Sequence, residues 1–279
     1  MGQNQLALKM TLKQKDLQRS KFNHSYWEKN AAKYKTSHSV SWGDANMIQL
    51  EIKNILNYID DGDYVLDAGC SNGYSTFAIA SARNIKVRAF DYSKKSIKYA
   101  ISAQHEKDKE RKIKFYHGNI LNIDESDNTF DKVYTIRVII NLLSWNLQKR
   151  AIKEMHRVLK PGGLFLMSEA FMGSLRNLNK LRVLANLPPL TVHDFNLYLE
   201  ERKTEKFLQK YFDIVEIKKF SSIYYVASRF LRYLTMTKQD KDTYINDINN
   251  FFATFSETEN SGDFGIQKLY VLRKRSISL

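Results

Sequence analysis

Apolar positions along the chain follow two alternating periods. From Asp44 onward, Ile48, Ile52, Ile55, Leu56 and Ile59 fall on one face of a helix, with Asp44 placed to cap its start and Asp61-Gly62 to end it. Short apolar runs then predict strands at 64–68, 86–90, 113–117, 131–136 and 164–168. Between them the spacing is helical: 74–82, a segment capped by Ser93, and 146–159 with Ile152, Met155, Val158 and Leu159 facing inward. Pro161-Gly162-Gly163 predicts a sharp stop before the fifth strand. Strands alternating with helices of this length predict an α/β fold, a mostly parallel sheet covered on both faces.

After Ser168 the rhythm changes. Asp194 to Tyr211 reads as a helix with a charged face, and 212–220 and 266–274 as two further strands, about seven in all. The roughly 45 residues between these strands carry helical patterns of their own and predict a cap over the site. The expected organisation is an N-terminal helical arm over 1–43 and an α/β core over 44–220 with substrate-side helices in 170–211. A helical cap over 221–265 and a final core strand in 266–279 complete it. The arm carries aromatics at Phe22, Tyr26, Trp27 and Tyr34.

The most informative stretch is VLDAGCSNGYST, Val65 to Thr76. A strand runs into a glycine-bearing turn that opens a helix, at the carboxyl end of a strand where open α/β sheets bind ligands. Gly69 permits a tight turn and close ligand approach, and Gly73 permits the helix to pack on the strand. Asp91 ends the next strand 24 residues after Asp67, near the spacing at which an acid meets the ribose of a bound nucleotide. A helix-capping aspartate is the alternative for Asp91. Tyr92, next to it, could pack on an adenine ring.

With these residues in view, the sequence resembles the class I S-adenosylmethionine (SAM)-dependent methyltransferases. Four blocks match in order: VLDAGCSNG, AFDYS, FDKVYTIRVIINL and HRVLKPGGLFLMSE, together spanning roughly residues 60–170. The resemblance implies a doubly wound, Rossmann-like sheet with an antiparallel last strand, and SAM as cofactor, leaving S-adenosylhomocysteine (SAH) as product. It places Asp67, Gly69, Ser71 and Gly73 around the methionine part, Asp91 on the ribose hydroxyls, and Asn119 and Ile120 beside the adenine. Ile136 and Arg137 would end the fourth strand beside the sulfonium, and Trp27 and Tyr34 of the arm would fold over the cofactor. Ser71 departs from the commoner glycine, and Asn119 from the commoner aspartate.

Methyl transfer to a hydroxyl is helped by a base within hydrogen-bond reach. Position alone nominates Glu169 and His193 for that role and Arg137 as anchor for an anionic acceptor. The acceptor motifs of amino- and cytosine-methylating enzymes are absent. The segment SSIYYVASRFLRYL is loosely similar to methyltransferases of bacterial surface polysaccharide synthesis. The expectation is therefore O-methylation of a sugar or related small or carrier-linked acceptor. RNA or protein methylation, and a non-catalytic SAM-binding partner subunit, stand as alternatives, while the Ser71 turn disfavours a nicotinamide-dependent oxidoreductase.

Composition adds boundaries. A single cysteine, Cys70, excludes an internal disulfide, and the six histidines form no tight metal-ligand pair, so no metal site is expected. The formal charge of +14 leaves two readings open: an anionic partner, or basic residues spread over solvated helix faces. Their scatter among acidic residues favours the second, and nucleic acid is not the expected partner. The polar, basic N-terminus and the absence of a long apolar run predict a cytoplasmic protein. The basic RYLTMTK segment could touch a membrane surface, and the aromatic arm and cap could serve as homodimer contacts.

Overall fold

The computed structural model describes residues 12–235, 244–255 and 262–275. The ends of the expected arm and final strand (1–11, 276–279) and two parts of the expected cap (236–243, 256–261) lie outside the described residues. So does the second half of RYLTMTK.

Seven strands form one sheet in the order β3-β2-β1-β4-β5-β7-β6. They are β1 (Tyr64–Ala68), β2 (Lys86–Asp91), β3 (Ile113–His117), β4 (Phe130–Ile136), β5 (Leu159–Ala170), β6 (Phe212–Lys218) and β7 (Gln267–Lys274). The first five pair in parallel, and β7 runs antiparallel between β5 and β6. Central strands read as unbroken apolar runs because both faces are covered: Val65, Leu66, Val133, Phe165 and Leu166 are all fully buried. Helix α2 (Ala45–Leu56) precedes β1, and α3 (Tyr74–Ala82), α4 (Lys94–Lys107) and α5 (Trp145–Val158) cross between parallel strands; α3 starts at Gly73 with no side-chain cap, the other three on capping side chains. The side chains of Asp44, Ser93 and Ser144 each accept a backbone N–H from the first turn.

Two expected boundaries shift. The Lys160–Gly163 stretch is not a stop before β5 but a bulge inside it: Phe130 pairs with Leu159, and Lys132 next with Leu164. The helix expected from Asp194 shrinks to α7 (Glu201–Leu208). Residues ahead of it are held extended because their backbone finds partners elsewhere. Leu197 N–H donates to Ile140 O at 2.6 Å, Leu199 N–H donates to Ala170 O at 3.0 Å, and Leu197 O accepts from the Gln148 amide at 2.8 Å. Within the stretch 170–211 expected to hold substrate-side helices, α6 (Met172–Leu184) follows β5 directly.

Outside the sheet, the arm helix α1 (Leu12–Tyr34) lies against α4, and its end is tied to the first glycine turn by Asn72. That buried amide donates to Lys35 O at 2.9 Å and Ser37 O at 2.8 Å. Between β6 and β7 the chain forms α8 (Ser222–Val226), a π-helical turn (Ala227–Leu231), α9 (Arg232–Thr235) and α10 (Asp247–Phe255). Asp44 binds this segment to α2. It is fully buried and accepts from Met47 N–H (3.1 Å), Tyr224 O–H (2.6 Å) and Arg229 Nη2 (2.7 Å). No helix among the described residues is long and apolar enough to cross a membrane.

Asp44→Ala would remove a helix cap and strand the Arg229 charge in the interior. Urea denaturation should show a loss of about 3–5 kcal/mol, the cost of breaking a buried pair from one side. A loss below about 1 kcal/mol would mean Asp44 does not bear this link.

Candidate active site

At the carboxyl ends of the parallel strands the first turn is built from backbone. Gly69 has φ +97°, and its N–H and that of Cys70 both donate to Phe90 O at 2.9 Å. A Cβ on Gly69 would lie 2.5 Å from the Val138 side chain, so only glycine fits between the turn and the segment after β4. Ser71 takes a left-handed conformation, φ +51°, in the position where glycine is commoner. Its N–H donates to Asp91 Oδ2 at 2.9 Å, while Ser93 N–H donates to Asp91 Oδ1 at 2.8 Å. Backbone N–H groups of Ser71, Ser93 and Tyr92 thus hold the carboxylate, and Asp91 lines the cavity described next. Of its roughly four lone-pair sites, one stays open to a ribose hydroxyl.

The turn opens on a cavity of about 620 Å³, within the range of small-molecule sites. Gly69, Ser71, Asp91, Tyr92, Asn119 and Ile120 line one part of it, and Ile136 the base. Two other expected cofactor residues, Asp67 and Gly73, do not line it; they brace the turn from behind. Asp67 Oδ2 accepts from Thr76 Oγ1 at 2.6 Å and Tyr134 O–H at 2.7 Å. Gly73 starts α3 where a Cβ would meet the Phe115 ring at 2.8 Å.

The roof comes from two distant segments. Trp27 and Tyr34 of α1 line the cavity from above, as does the loop before α7 through Thr191, His193 and Phe195. The segments meet in an aromatic stack: Phe195 lies between Tyr26 (4.3 Å, 19°) and His193 (5.0 Å, 7°). His193 is at the exposed rim of this stack.

Glu169 is not at the cavity, contrary to its nomination as base. It is fully buried, with Oε1 accepting from Val138 N–H (3.0 Å) and Ile139 N–H (2.9 Å), and Oε2 from Ile140 N–H (3.3 Å). Burial pushes its pKa up to about 7, against the pull of these N–H groups. It clamps the 3-10 turn Ile139–Asn141 that follows β4. Arg137, just before that turn, has φ +57° and does line the cavity. Its guanidinium is bonded to the buried Glu51 and lies 4.7 Å from the Trp42 ring.

Sequence reasoning missed the far end of the cavity. Trp42, Tyr198, Tyr225, Tyr244 and the buried Arg229 line it. Arg229 sits on the π-helical turn, with its guanidinium 4.3 Å from the Tyr244 ring and 5.0 Å from Tyr225. The available signal was the aromatic and arginine spacing of SIYYVASRFLRYL, a stretch whose sequence reading names no cavity residue.

Two outcomes follow from this geometry. Gly69→Ala should weaken SAH binding at least tenfold by calorimetry, because the new methyl displaces Val138; unchanged affinity would show that the turn tolerates it. Asp67 is pushed by burial up to about 7, so the folded chain holds a proton that the unfolded chain releases near pH 4. Its contribution to stability is therefore present at low pH and lost as pH rises through about 7. Asp67→Asn removes that loss while keeping an acceptor for Thr76 and Tyr134. Relative to wild type, the variant should gain on the order of 2 kcal/mol between pH 5 and pH 8 in urea denaturation; a constant difference would show that Asp67 is ionised throughout.

Comparison with known proteins agrees with this architecture. The sequence model of a family described as "Methyltransferase domain" matches residues 59–250. An O-methyltransferase of Aspergillus nomiae, rstn1, is 26% identical over 111 residues, which cover 40% of this chain and 48% of that protein. Demethylmenaquinone methyltransferase of Staphylococcus epidermidis is 28% identical over 158 residues, covering 54% of this chain and 61% of that protein. The chain thus spans less than two thirds of the length of these relatives. A Haloferax volcanii methyltransferase, solved with the Trm112 activator, superimposes with a TM-score of 0.60 at 15% identity, covering 90% of this chain and 98% of that one. The matched span, the sheet order and the turn at Gly69 together place the chain in the methyltransferase-domain family of class I SAM-dependent methyltransferases.

Proposed function

We propose that the protein transfers a methyl group from SAM to a hydroxyl of a small or carrier-linked acceptor, a sugar or related metabolite, bound in the same cavity. The observation that carries this reading is a single roofed cavity of about 620 Å³ joining a nucleotide-type end at Asp91 to an arginine- and aromatic-lined end at Arg137 and Arg229. That volume suits two small ligands side by side, which supports a small acceptor. SAM supplies an electrophilic methyl: the acceptor O–C bond forms as the S–C bond breaks, and SAH and the hydroxyl proton leave.

The chain's own residues position and enclose. Gly69, Ser71 and Asp91 fix the cofactor end, with Asn119 and Ile120 at the adenine side and Ile136 at the sulfonium. Trp27, Tyr34 and Phe195 keep water out of the roof. Arg137 and Arg229 have guanidinium N–H groups beyond those spent on Glu51 and Asp44, and these draw an anionic or strongly polar acceptor toward Trp42. Of the two residues nominated as base, His193 alone reaches the cavity, and it takes the proton at the rim. O-methyltransferase names among the relatives support a hydroxyl acceptor.

Methyl-labelled SAM incubated with a cell extract tests the reading. Label should appear in the small-molecule or glycan fraction, and Asp91→Ala should reduce it at least tenfold. Label in RNA or protein would overturn the acceptor class, and binding of SAM without any transfer would favour a non-catalytic role.

A further inference from the structure

The far end of the cavity offers hydrogen-bond donors that the chain itself does not use. Arg137 and Arg229 both line it, with side chains 10% and 7% exposed, and both border the Trp42 ring. Arg137 commits Nη1 to Glu51 and, at 3.4 Å, Nη2 to Ser41 Oγ. Arg229 commits Nη2 to Asp44 at 2.7 Å and Nη1 to Ser228 Oγ at 2.8 Å. The Nε–H of each guanidinium has no acceptor among the described residues, and neither nitrogen is sealed in the interior. The same holds for the phenol O–H of Tyr198, which lines the cavity within electrostatic reach of both guanidinium groups. Arg229 is presented by the π-helical turn Ala227–Leu231, a rare conformation found often at functional sites.

The donors narrow the ligand. A guanidinium only donates, so the group that meets both Nε–H atoms is one that accepts, and an ionised carboxylate accepts without donating. The surrounding charges limit how many negative charges it carries. Glu51 and Asp44 already offset Arg137 and Arg229. Buried Arg182 is met by the carbonyls of Pro188 and Arg229, and Glu169 by backbone N–H groups. With the buried charges matched in this way, the two guanidinium groups suit one further negative charge, and a dianion would be desolvated without enough in return. We infer that the acceptor is a hydroxy acid whose single carboxylate seats on Arg137 Nε, Arg229 Nε and the Tyr198 hydroxyl, with its own hydroxyl toward the cofactor end. The three are specificity residues and take no proton. A site built on such donors rejects analogues that lack the matching acceptor group.

The inference rests on the reading that the cavity holds an acceptor beside SAM, and the experiment separates the two. SAH binding to the full chain is measured first by calorimetry at pH 8. The SAH complex is then titrated with 4-hydroxybenzoate, 4-hydroxybenzamide and 4-hydroxyphenyl phosphate, one hydroxylated ring bearing one, no and two negative charges. Wild type should bind the carboxylate about tenfold more tightly than either of the others. In Arg137→Gln and in Tyr198→Phe the preference for carboxylate over amide should shrink, to about threefold or less in Arg137→Gln. A merely structural loss would weaken both probes alike and leave their ratio unchanged. Failure of wild type to bind SAH would overturn the methyltransferase reading and this inference with it. SAH binding with no carboxylate binding, an amide or phosphate bound as tightly as the carboxylate, or a ratio unchanged in both variants would overturn the inference alone. Should a variant fail to fold, the wild-type series still decides.

Discussion

The carboxylate of Glu169 fixes the path of the chain beyond β4, and most of the cavity depends on that path. By gathering three consecutive backbone N–H groups, it turns the segment after Arg137 into a 3-10 turn. That turn presses Val138 against Gly69, aims Arg137 at Glu51 and brings Asn141 under the arm. A carboxylate in the interior is costly unless matched by donors. Here the match is supplied by the backbone it positions, so clamp and turn stabilise each other.

A second tier of buried charge ties the covering elements to this base. Arg137 pairs with Glu51 of α2, and Arg229 pairs with Asp44 at the start of the same helix. Trp42 lies close to both guanidinium groups, at 4.7 Å and 5.9 Å. Buried ion pairs of this kind add little net stability over apolar packing, but they fix one arrangement among several. Their effect here is register: they set α2, the end of β4 and the π-helical turn around one indole ring, which shapes the far end of the cavity.

The parts legible in the sequence are those governed by local chemistry. The apolar runs at 64–68 and 113–117 became strands with those bounds, and Asp44 and Ser93 became caps, because helix and strand periods act over a few residues. Ser71 and Asp91 came together as expected since one short βαβ unit contains both. What stayed hidden was set by long-range partners. The residues before α7 carry a helical pattern but are held extended by Ile140, Gln148 and Ala170, and no local signal announces this. Glu169 looked like a catalytic base by position, and only its burial and its N–H partners show it to be a clamp. Asn23 had no distinguishing context at all; its amide ties the arm to Asn141 and Phe195, 118 and 172 positions further on.

The same separations set an order of assembly. The arm precedes the entire sheet in the chain, yet the groups that hold it near Asn23 are completed only when the loop at Phe195 has been made. The free edge of β5 waits longer still, for β7 to insert between it and β6. Contacts spanning such distances form late, since closing long loops costs entropy before any contact rewards it. The nucleotide-type end of the cavity, built from neighbouring strands, therefore closes over shorter stretches of chain than the roof does.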